Sequence, residues 1–403
     1  MGQQKSLTSI VCIGLVLMLA SMLLLATSGT TQAAGKPKTV KIGALLCLTG
    51  WFSVVDHNEE RDMKTLVNMI NERGGITVGG EKYLVDLVIE DGKSTFDGIS
   101  AAAARLVYDH KVKFVAGPNA FFSSASSTVL ERNKALHVSS FVTMQPGELD
   151  ASTPYGFATD TSLVQCGAAI FNMKKEYPDL KKLVIVTPDD GAIPYVVPAL
   201  KKMLALNGYT VVGETIGYPN EMVDFSPIVA KINAIKDADM IYHQNGPPHQ
   251  IGNIIKGLRA SGNMKPYMVA SNMDGGDLPT FTGKAGGTNV LGIGLTSIAK
   301  ENPPLIEEIY KRTGRKSPYN LDSPAALYTL LQMIQSANSF DPAKVKAKWE
   351  ASSKVDTLFG EGLVCGDESF GIKHHVVSRP FQTWKLMDGN VVVGPWAPAA
   401  FIP

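Results

Sequence analysis

The chain has 403 residues, 45% apolar and 19% charged, with 38 basic and 37 acidic side chains. That length suits two domains or one very large one. A formal net charge of +1 leaves no polybasic footprint and excludes nucleic acid as an expected partner.

Residues 1–33 read as a secretory signal peptide. Lys5 is the basic region, Ile10 to Ala26 the apolar run, and Thr31-Gln32-Ala33 with Ala34 the small-residue end; cleavage is expected after Ala33 or Ala34. An uncleaved anchor competes, because the run approaches spanning length; the cleavage site directly behind it favours removal. Cys12 opens the run instead of following it, which argues against a lipid-modified Cys. The expected location is the periplasm. Without residues 1–33 the basic count falls from 38 to 37, matching the 37 acids.

From Thr39 strands and helices alternate. Val40 to Leu46 is an apolar strand ending at Thr49-Gly50. Asn58 to Asn71 has helical spacing through Met63, Leu66, Val67 and Ile70, stopped by Gly74-Gly75. Tyr83 to Ile89 is a strand, and Asp97 is expected to cap a helix from Ile99 to Asp109. Phe114-Val115-Ala116 reads as a buried parallel strand broken by Gly117-Pro118. Ser123 or Ser124 can cap the next helix, whose free N–H groups receive a carboxylate or phosphate without Lys or Arg. A second short strand begins at Leu136, and Ser139, Ser140 and Thr143 can face the same point. On its own this stretch fits an ordinary βαβ turn with polar caps equally well.

The pattern then repeats. Leu183 to Val186 is a strand, leading to Asp189-Asp190-Gly191. Helices are expected over Tyr195 to Leu206, Ser226 to Ile235 and His249 to Ala260. Strands are expected over Tyr209 to Ile216, Met240 to His243, Tyr267 to Ala270 and Val290 to Leu295. Glu301 to Glu350 is mainly helical. A strand-rich tail follows: Leu363-Val364, Phe381 to Met387, a turn at Asp388-Gly389-Asn390, then Val391 to Val393. Two α/β units in tandem, each a parallel sheet with helices on both faces, would bind a ligand beyond the carboxyl ends of their strands.

At this point the residues resemble a known family, the periplasmic solute-binding proteins of ABC importers of the leucine/isoleucine/valine-binding type. The resemblance covers nearly everything after Lys38. It rests on Lys41-Ile42-Gly43 leading to Thr49-Gly50, and on Ile70-Asn71-Glu72-Arg73-Gly74-Gly75-Ile76. Asp224-Phe225-Ser226-Pro227-Ile228, Asp239-Met240-Ile241-Tyr242 and Leu258-Arg259-Ala260-Ser261-Gly262 extend it. It implies an α/β fold of two Rossmann-like lobes, a type I periplasmic binding protein, joined by three crossover strands near Asp160 to Ser162, Thr296-Ser297 and Asp356. By analogy residues 38–157 plus 296–356 form the N-terminal lobe and 158–295 plus 357–403 the C-terminal lobe. The implied protein is a monomer that captures a small solute by lobe closure and presents it to an ABC permease with its ATPase. A sensor presenting its ligand state to a membrane receptor or kinase is the alternative.

Carried over residue by residue, Thr143 matches the family Thr that grips the ligand's carboxylate, and Phe141 the neighbouring backbone position. The family Ser falls near Phe121; Ser123 or Ser124 can serve instead. Trp51 or Phe52 would cover the ligand. The second lobe departs from the family: its loop reads Asp189-Asp190-Gly191-Ala192 without a Tyr, and its second aromatic is replaced by Asn245-Gly246-Pro247-Pro248. The acid that holds an α-ammonium falls near Ser271 or Asn272, with Asp274 the nearest carboxylate. An unpaired buried ammonium costs several kcal/mol, roughly. The expected ligand is therefore a carboxylate-bearing solute with an aromatic or apolar body, not a branched-chain amino acid. His243, Gln244, Asn245 and His249 follow a second-lobe strand where a ligand can be met; a surface loop with capping polar residues explains them as well.

Cys47, Cys166 and Cys365 remain after cleavage. A Cys166–Cys365 disulfide is expected if both fall in the second lobe; three buried free thiols fit equally. No spacing supplies a zinc site, and His374-His375 would point opposite ways on a strand. No Gly-x-x-x-x-Gly-Lys-Ser/Thr loop or Gly-x-Ser-x-Gly elbow is present. Gly292-x-Gly294 lacks a third glycine, and Ser297-x-x-Lys300 lacks its partner motifs. No catalytic residue, metal or cofactor is expected.

Overall fold

A computed structural model describes residues 37–119, 122–189, 191–295, 299, 301–314 and 321–403. The signal-peptide reading, Phe121 and the crossing expected at Thr296-Ser297 lie outside the described residues. The first stretch runs β1 (Lys38–Leu46), α1 (Ser53–Glu72), β2 (Ile76–Val78), β3 (Glu81–Asp91), α2 (Phe96–Tyr108), β4 (Phe114–Ala116), α3 (Ser123–Arg132), β5 (Leu136–Ser139) and β6 (Gly156–Ala158). The second runs α4 (Ser162–Glu176), β7 (Lys182–Asp189), α5 (Ile193–Leu206), β8 (Thr210–Val211), β9 (Ile216–Pro219), α6 (Ser226–Ala234), β10 (Met240–Gln244), α7 (Pro248–Ala260), β11 (Tyr267–Asn272), α8 (Leu278–Gly286) and β12 (Val290–Ile293). The last comprises α9 (Pro304–Thr313), α10 (Asp322–Ala337), α11 (Pro342–Glu350), β13 (Lys354–Thr357), β14 (Gly360–Cys365), α12 (Asp367–Phe370), β15 (Val376–Ser378), β16 (Phe381–Met387) and β17 (Asn390–Ala397).

Among the described residues these strands form two sheets, β13-β14-β15-β6-β5-β4-β1-β3-β2 and β17-β16-β12-β11-β10-β7-β8, with β9 also on β7. The pairs β1–β4, β4–β5 and β5–β6 are parallel in the first, as are β7–β10, β10–β11 and β11–β12 in the second. Period-two alternation sends neighbouring residues to opposite faces. Ile42, Ala44 and Leu46 join Met63, Leu66, Leu330 and Trp349 on one face of the first sheet. Leu45 meets Leu106, Val115 and Leu130 on the other. In the second sheet Leu183 and Ile185 pack with α4 and α5, while Val184 and Val186 pack with α6 and α7. Each such buried Leu, Ile or Val contributes about 1.5–3 kcal/mol relative to exposure. The result is two doubly covered α/β lobes.

The chain changes sheet after β6, after β12 and after β15. The sequence reading set the last change near Asp356 and gave residues 357–403 to the second lobe. Instead Asp356 pairs with Glu361 in a hairpin of the first sheet, and β15 runs parallel to β6 at Val376 and Ala158. Only β16 and β17 return to the second sheet, so the change falls at Arg379-Pro380. The strand expected over Tyr209 to Ile216 is broken into β8 and β9, because Gly213 takes φ +70° and turns the chain. Thr95, not Asp97, caps α2, accepting from the Gly98 amide at 3.0 Å. The three cysteines are free and buried, so no Cys166–Cys365 bond forms. Their expected common lobe fails, because Cys365 ends β14 in the first sheet. Burial pushes the Cys166 thiol up to about 12 and Cys365 to about 11. His375 is structural: its ring stacks on Phe157 at 4.2 Å and meets the Glu350 carboxylate at 3.0 Å. Among the described residues no helix is long and apolar enough to cross a membrane.

Candidate functional site

The loops beyond the carboxyl ends of the strands carry the candidate site. After β1, Gly50 takes φ +85°, and a Cβ there would lie 2.8 Å from the Ser94 side chain. Ser94 fixes this turn, its Oγ donating to the Thr49 carbonyl at 2.7 Å and accepting from the Phe52 amide at 3.1 Å. Asp91 accepts from the Leu48 amide at 2.8 Å and the Thr49 hydroxyl at 2.7 Å. Burial raises its pKa, but these donors and the Lys93 amide hold Asp91 below the usual carboxylate range. The braced loop presents Trp51, 63% exposed, beside Phe52 at 5.3 Å between ring centroids. Phe122 lies 6.0 Å from Trp51, 5.9 Å from Phe52 and 5.8 Å from the exposed Phe96. Four aromatic rings thus converge on the start of α3.

Gly117 follows β4 at φ +89°, where a Cβ would sit 2.4 Å from the Leu45 carbonyl oxygen, so only glycine fits. Its amide donates to Val138 and Pro118 accepts from Ser140, binding this loop to the end of β5. Helix α3 begins at Ser123, with Phe122 in the cap position, no side-chain cap and no acid in the first turn. Its positive end is therefore not neutralised by a carboxylate of its own first turn. Ser123 is buried, and its carbonyl accepts from the Ser126 and Ser127 hydroxyls at 2.9 and 2.8 Å.

Beyond β5, Phe141 and Thr143 are both buried. The Thr143 amide donates to Glu148 Oε2 at 2.7 Å, and its hydroxyl approaches both carboxylate oxygens at 3.1 Å. The Gln145 amide donates to the same Oε2 at 2.9 Å. Sequence reasoning gave Thr143 to a ligand; in the structure these donors face Glu148, which it missed. Gln145 Oε1, in the loop after β5, lies 3.9 Å from where a Cβ on Gly191, in the loop after β7, would sit. Ala192, buried, occupies the cap position of α5 directly after Gly191.

The other second-lobe residues divide. Asn245 and Gly246 make a left-handed turn after β10, at φ +59° and +114°. Gly246 accepts from the Ser271 hydroxyl at 3.3 Å. His249 is exposed and edge-on to Phe281 of α8 at 6.3 Å. Asn272 reaches the first lobe, its Nδ2 donating to Asp322 Oδ1 at 3.1 Å. His243, read as able to meet a ligand, is instead wholly buried between the Tyr218 hydroxyl at 2.9 Å and the Tyr267 hydroxyl. Burial pushes its pKa down to about 3.

Sequence reasoning also missed a buried charged group where the chain changes sheet. Arg379, 2% exposed, donates to Asp160 at 3.0 Å and Asp322 at 2.7 Å. Its guanidinium lies 4.0 Å from the ring centres of both Phe359 and Phe381. Burial pushes Asp160 up to about 7, against the pull of Arg379, and raises Asp322 as well. On α1, Asp56 and Glu59 are buried beside this region; Glu59 accepts from the Ser323 amide at 2.8 Å. Burial, then the Asp322 charge, raises Glu59. The spacing of Asp56, Glu59 and Asp62, in phase with Met63 and Leu66, was the available signal. A cavity of about 920 Å³ opens along β17, lined by Phe359, Gln382 and Trp396 among others; it contains none of the strand-end residues above. Among the described residues no group of His, Cys, Asp and Glu is arranged to hold a metal.

A family model described as "Periplasmic binding protein" matches residues 39–388. The Leu/Ile/Val-binding protein homolog 3 of Brucella melitensis is 25% identical over 387 residues, covering 93% of this chain and 98% of that one. A branched-chain amino acid transporter substrate-binding protein from Streptococcus pneumoniae, solved with isoleucine, superposes with a TM-score of 0.66 at 20% identity, over 90% of this chain and 100% of that one. A solute-binding protein of an ABC transporter from Rhodopseudomonas palustris HaA2, solved with p-hydroxybenzoic acid, gives 0.68 at 21% identity, over 90% of this chain and 98% of that one.

Proposed function

The chain belongs to the periplasmic binding protein family, and on that premise we propose that it is the extracytoplasmic capture component of an ABC-type uptake system for a small aromatic or apolar acid. Family membership makes it a solute-binding protein and not an enzyme. The observation that carries the ligand class is the ring cluster of Trp51, Phe52, Phe96 and Phe122 at the start of α3. An apolar body packs on those rings, and its carboxylate meets the N–H groups at the head of the helix. By the family register the position that would face an α-ammonium falls near Ser271 or Asn272, neither an acid, with Asp274 the nearest carboxylate, and Asn272 already donates to Asp322. That disfavours a zwitterionic amino acid. The solute passes from the closed protein to an ABC permease with its ATPase, after signal-directed export to the periplasm; the R. palustris neighbour solved with p-hydroxybenzoic acid is consistent with this class.

Thermal denaturation with a panel of monocarboxylates tests this. At about 100 times its dissociation constant the accepted acid stabilises the protein by about 2.7 kcal/mol. Trp51→Ala weakens that acid's binding by about tenfold, roughly 1.4 kcal/mol, while leaving ligand-free stability nearly unchanged, because the side chain is exposed. Stabilisation by leucine or valine with none by aromatic acids, or an unaltered affinity in Trp51→Ala, contradicts the reading.

A further inference from the structure

We propose that the cavity along β17 is a second small-molecule site, distinct from the strand-end site, and that it takes an apolar amine in its cationic form. Its volume of about 920 Å³ lies at the upper end of the roughly 300–1,000 Å³ typical of ligand pockets. Three stretches line it: Glu301 to Pro303 before α9, Phe359 and Pro380 beside Arg379, and β17 from Val391 onward. Among the described residues β17 is the end strand of its sheet.

A bulge builds the aromatic wall. The pairing of β17 with β16 shifts between Gln382 and Trp384. The Thr383 hydroxyl donates to the Pro395 carbonyl at 2.7 Å, and a Cβ on Gly394 would lie 2.3 Å from Thr383 Oγ1. Only glycine allows that approach, and such an irregularity re-aims the residues that follow. Trp396 stands 6.4 Å from Phe359 between ring centres, tilted by 42°. Phe359 is held in turn: its amide donates to Thr357 Oγ1 at 3.2 Å, and the Arg379 guanidinium lies 4.0 Å from its ring centre. Two rings and Val391 to Val393 thus offer an apolar wall on which an aromatic body packs.

Charge selects the head group. Among the described residues Glu301 is the one ionisable group lining the cavity. Arg379 is already paired with Asp160 and Asp322. An anion would find no free cation there and an acid beside it, whereas an ammonium is attracted both by Glu301 and by the ring faces. This preference is opposite to that of the strand-end site, so it stands whichever acid that site accepts.

Calorimetric titration of the protein with tryptamine, its alcohol analogue tryptophol, and indoleacetate tests this. Tryptamine binds one site per chain, about threefold tighter than tryptophol, and indoleacetate does not compete for it. Trp396→Ala weakens tryptamine binding about tenfold, and Trp51→Ala leaves it unchanged. Glu301→Gln brings tryptamine to the affinity of tryptophol; Glu301 is exposed, so this variant decides the matter if Trp396→Ala fails to fold. Absence of saturable tryptamine binding to the wild type overturns the proposal, as does equal affinity for tryptamine and tryptophol. Binding lost in Trp51→Ala but kept in Trp396→Ala also overturns it, because tryptamine then sits at the strand-end site. So does a wild-type dimer in sedimentation that Trp396→Ala dissociates, because a second copy then covers β17.

Discussion

Replacing Arg379 by Ala lowers the stability of the folded chain by about 3–5 kcal/mol at pH 8. The side chain is buried, bridges Asp160 and Asp322, and is covered on its faces by Phe359 and Phe381. Removing it leaves the buried Asp160 and the partly buried Asp322 carboxylates without a cation and two rings without their guanidinium. The loss depends on pH, and its sign follows from the raised pKa of both acids. A carboxyl whose folded pKa is raised binds protons more readily in the folded state. Its ionisation penalty is therefore present above the folded pKa and relieved below it. With the Asp160 carboxyl at about 7 even beside Arg379, the variant regains part of the loss by pH 5. Urea unfolding at pH 8 and pH 5 measures both quantities. Arg379→Lys falls between, keeping the charge but losing the planar fork that reaches both acids. A loss below about 1 kcal/mol at pH 8, or an equal loss at both pH values, contradicts a buried-cation role.

Between pH 8 and pH 4, His243 alone removes about 3 kcal/mol of stability. Burial between two tyrosine hydroxyls lowers its folded pKa to about 3, whereas the unfolded side chain titrates at its ordinary 6.5. The unfolded state thus binds the extra proton. This contribution is intact above 6.5 and is lost as pH falls toward 3. Asp56, pushed up to about 7 by burial, acts with the opposite sign and gains stability as pH falls below 7. The observed slope combines these with the raised Asp160, Asp322 and Glu59 and the lowered His375, so the comparison must be made against His243→Gln. That variant has lower stability at pH 8, through weakened bonds to Tyr218 and Tyr267. Below pH 6.5 its stability falls less steeply, by up to about 1.4 kcal/mol per pH unit. Parallel stability–pH curves for the two proteins contradict a neutral buried His243.

The alternation of strands and helices was legible because each central strand is a short apolar run bounded by Gly, Pro or acidic turns. β1, β4, β7, β10 and β11 carry this signal. β6, β13 and β15, at three or four residues each, are too short to show a period. Nothing local in β13 to β15 records which sheet they join, because that depends on pairing with β6, more than 200 residues away. The candidate site was legible where local chemistry builds it. Gly50 before Trp51, and Gly117-Pro118 before a serine-rich helix start, announce turns on sequence alone.

The charged groups were not legible. Arg379 is an ordinary arginine until Asp160 and Asp322 arrive from 219 and 57 residues away. Asp56, Glu59 and Asp62 sit at core phase on α1, but carboxylates at such spacing normally mark a solvated face. His243 and Gln244 alternate on β10, so one faces Tyr218 and Tyr267 while the other takes a bond from Tyr242. Alternation was readable; what lay on each face was not.

The central claim is that two lobes close on a single small acid held at the head of α3. Small-angle scattering of the protein, titrated with 4-hydroxybenzoate, tests it most directly. Closure predicts a radius of gyration that falls as ligand is added, saturates with the calorimetric isotherm, and needs a higher concentration in Trp51→Ala. A radius unchanged at saturation, or a fall produced equally by L-isoleucine in the wild type, contradicts it.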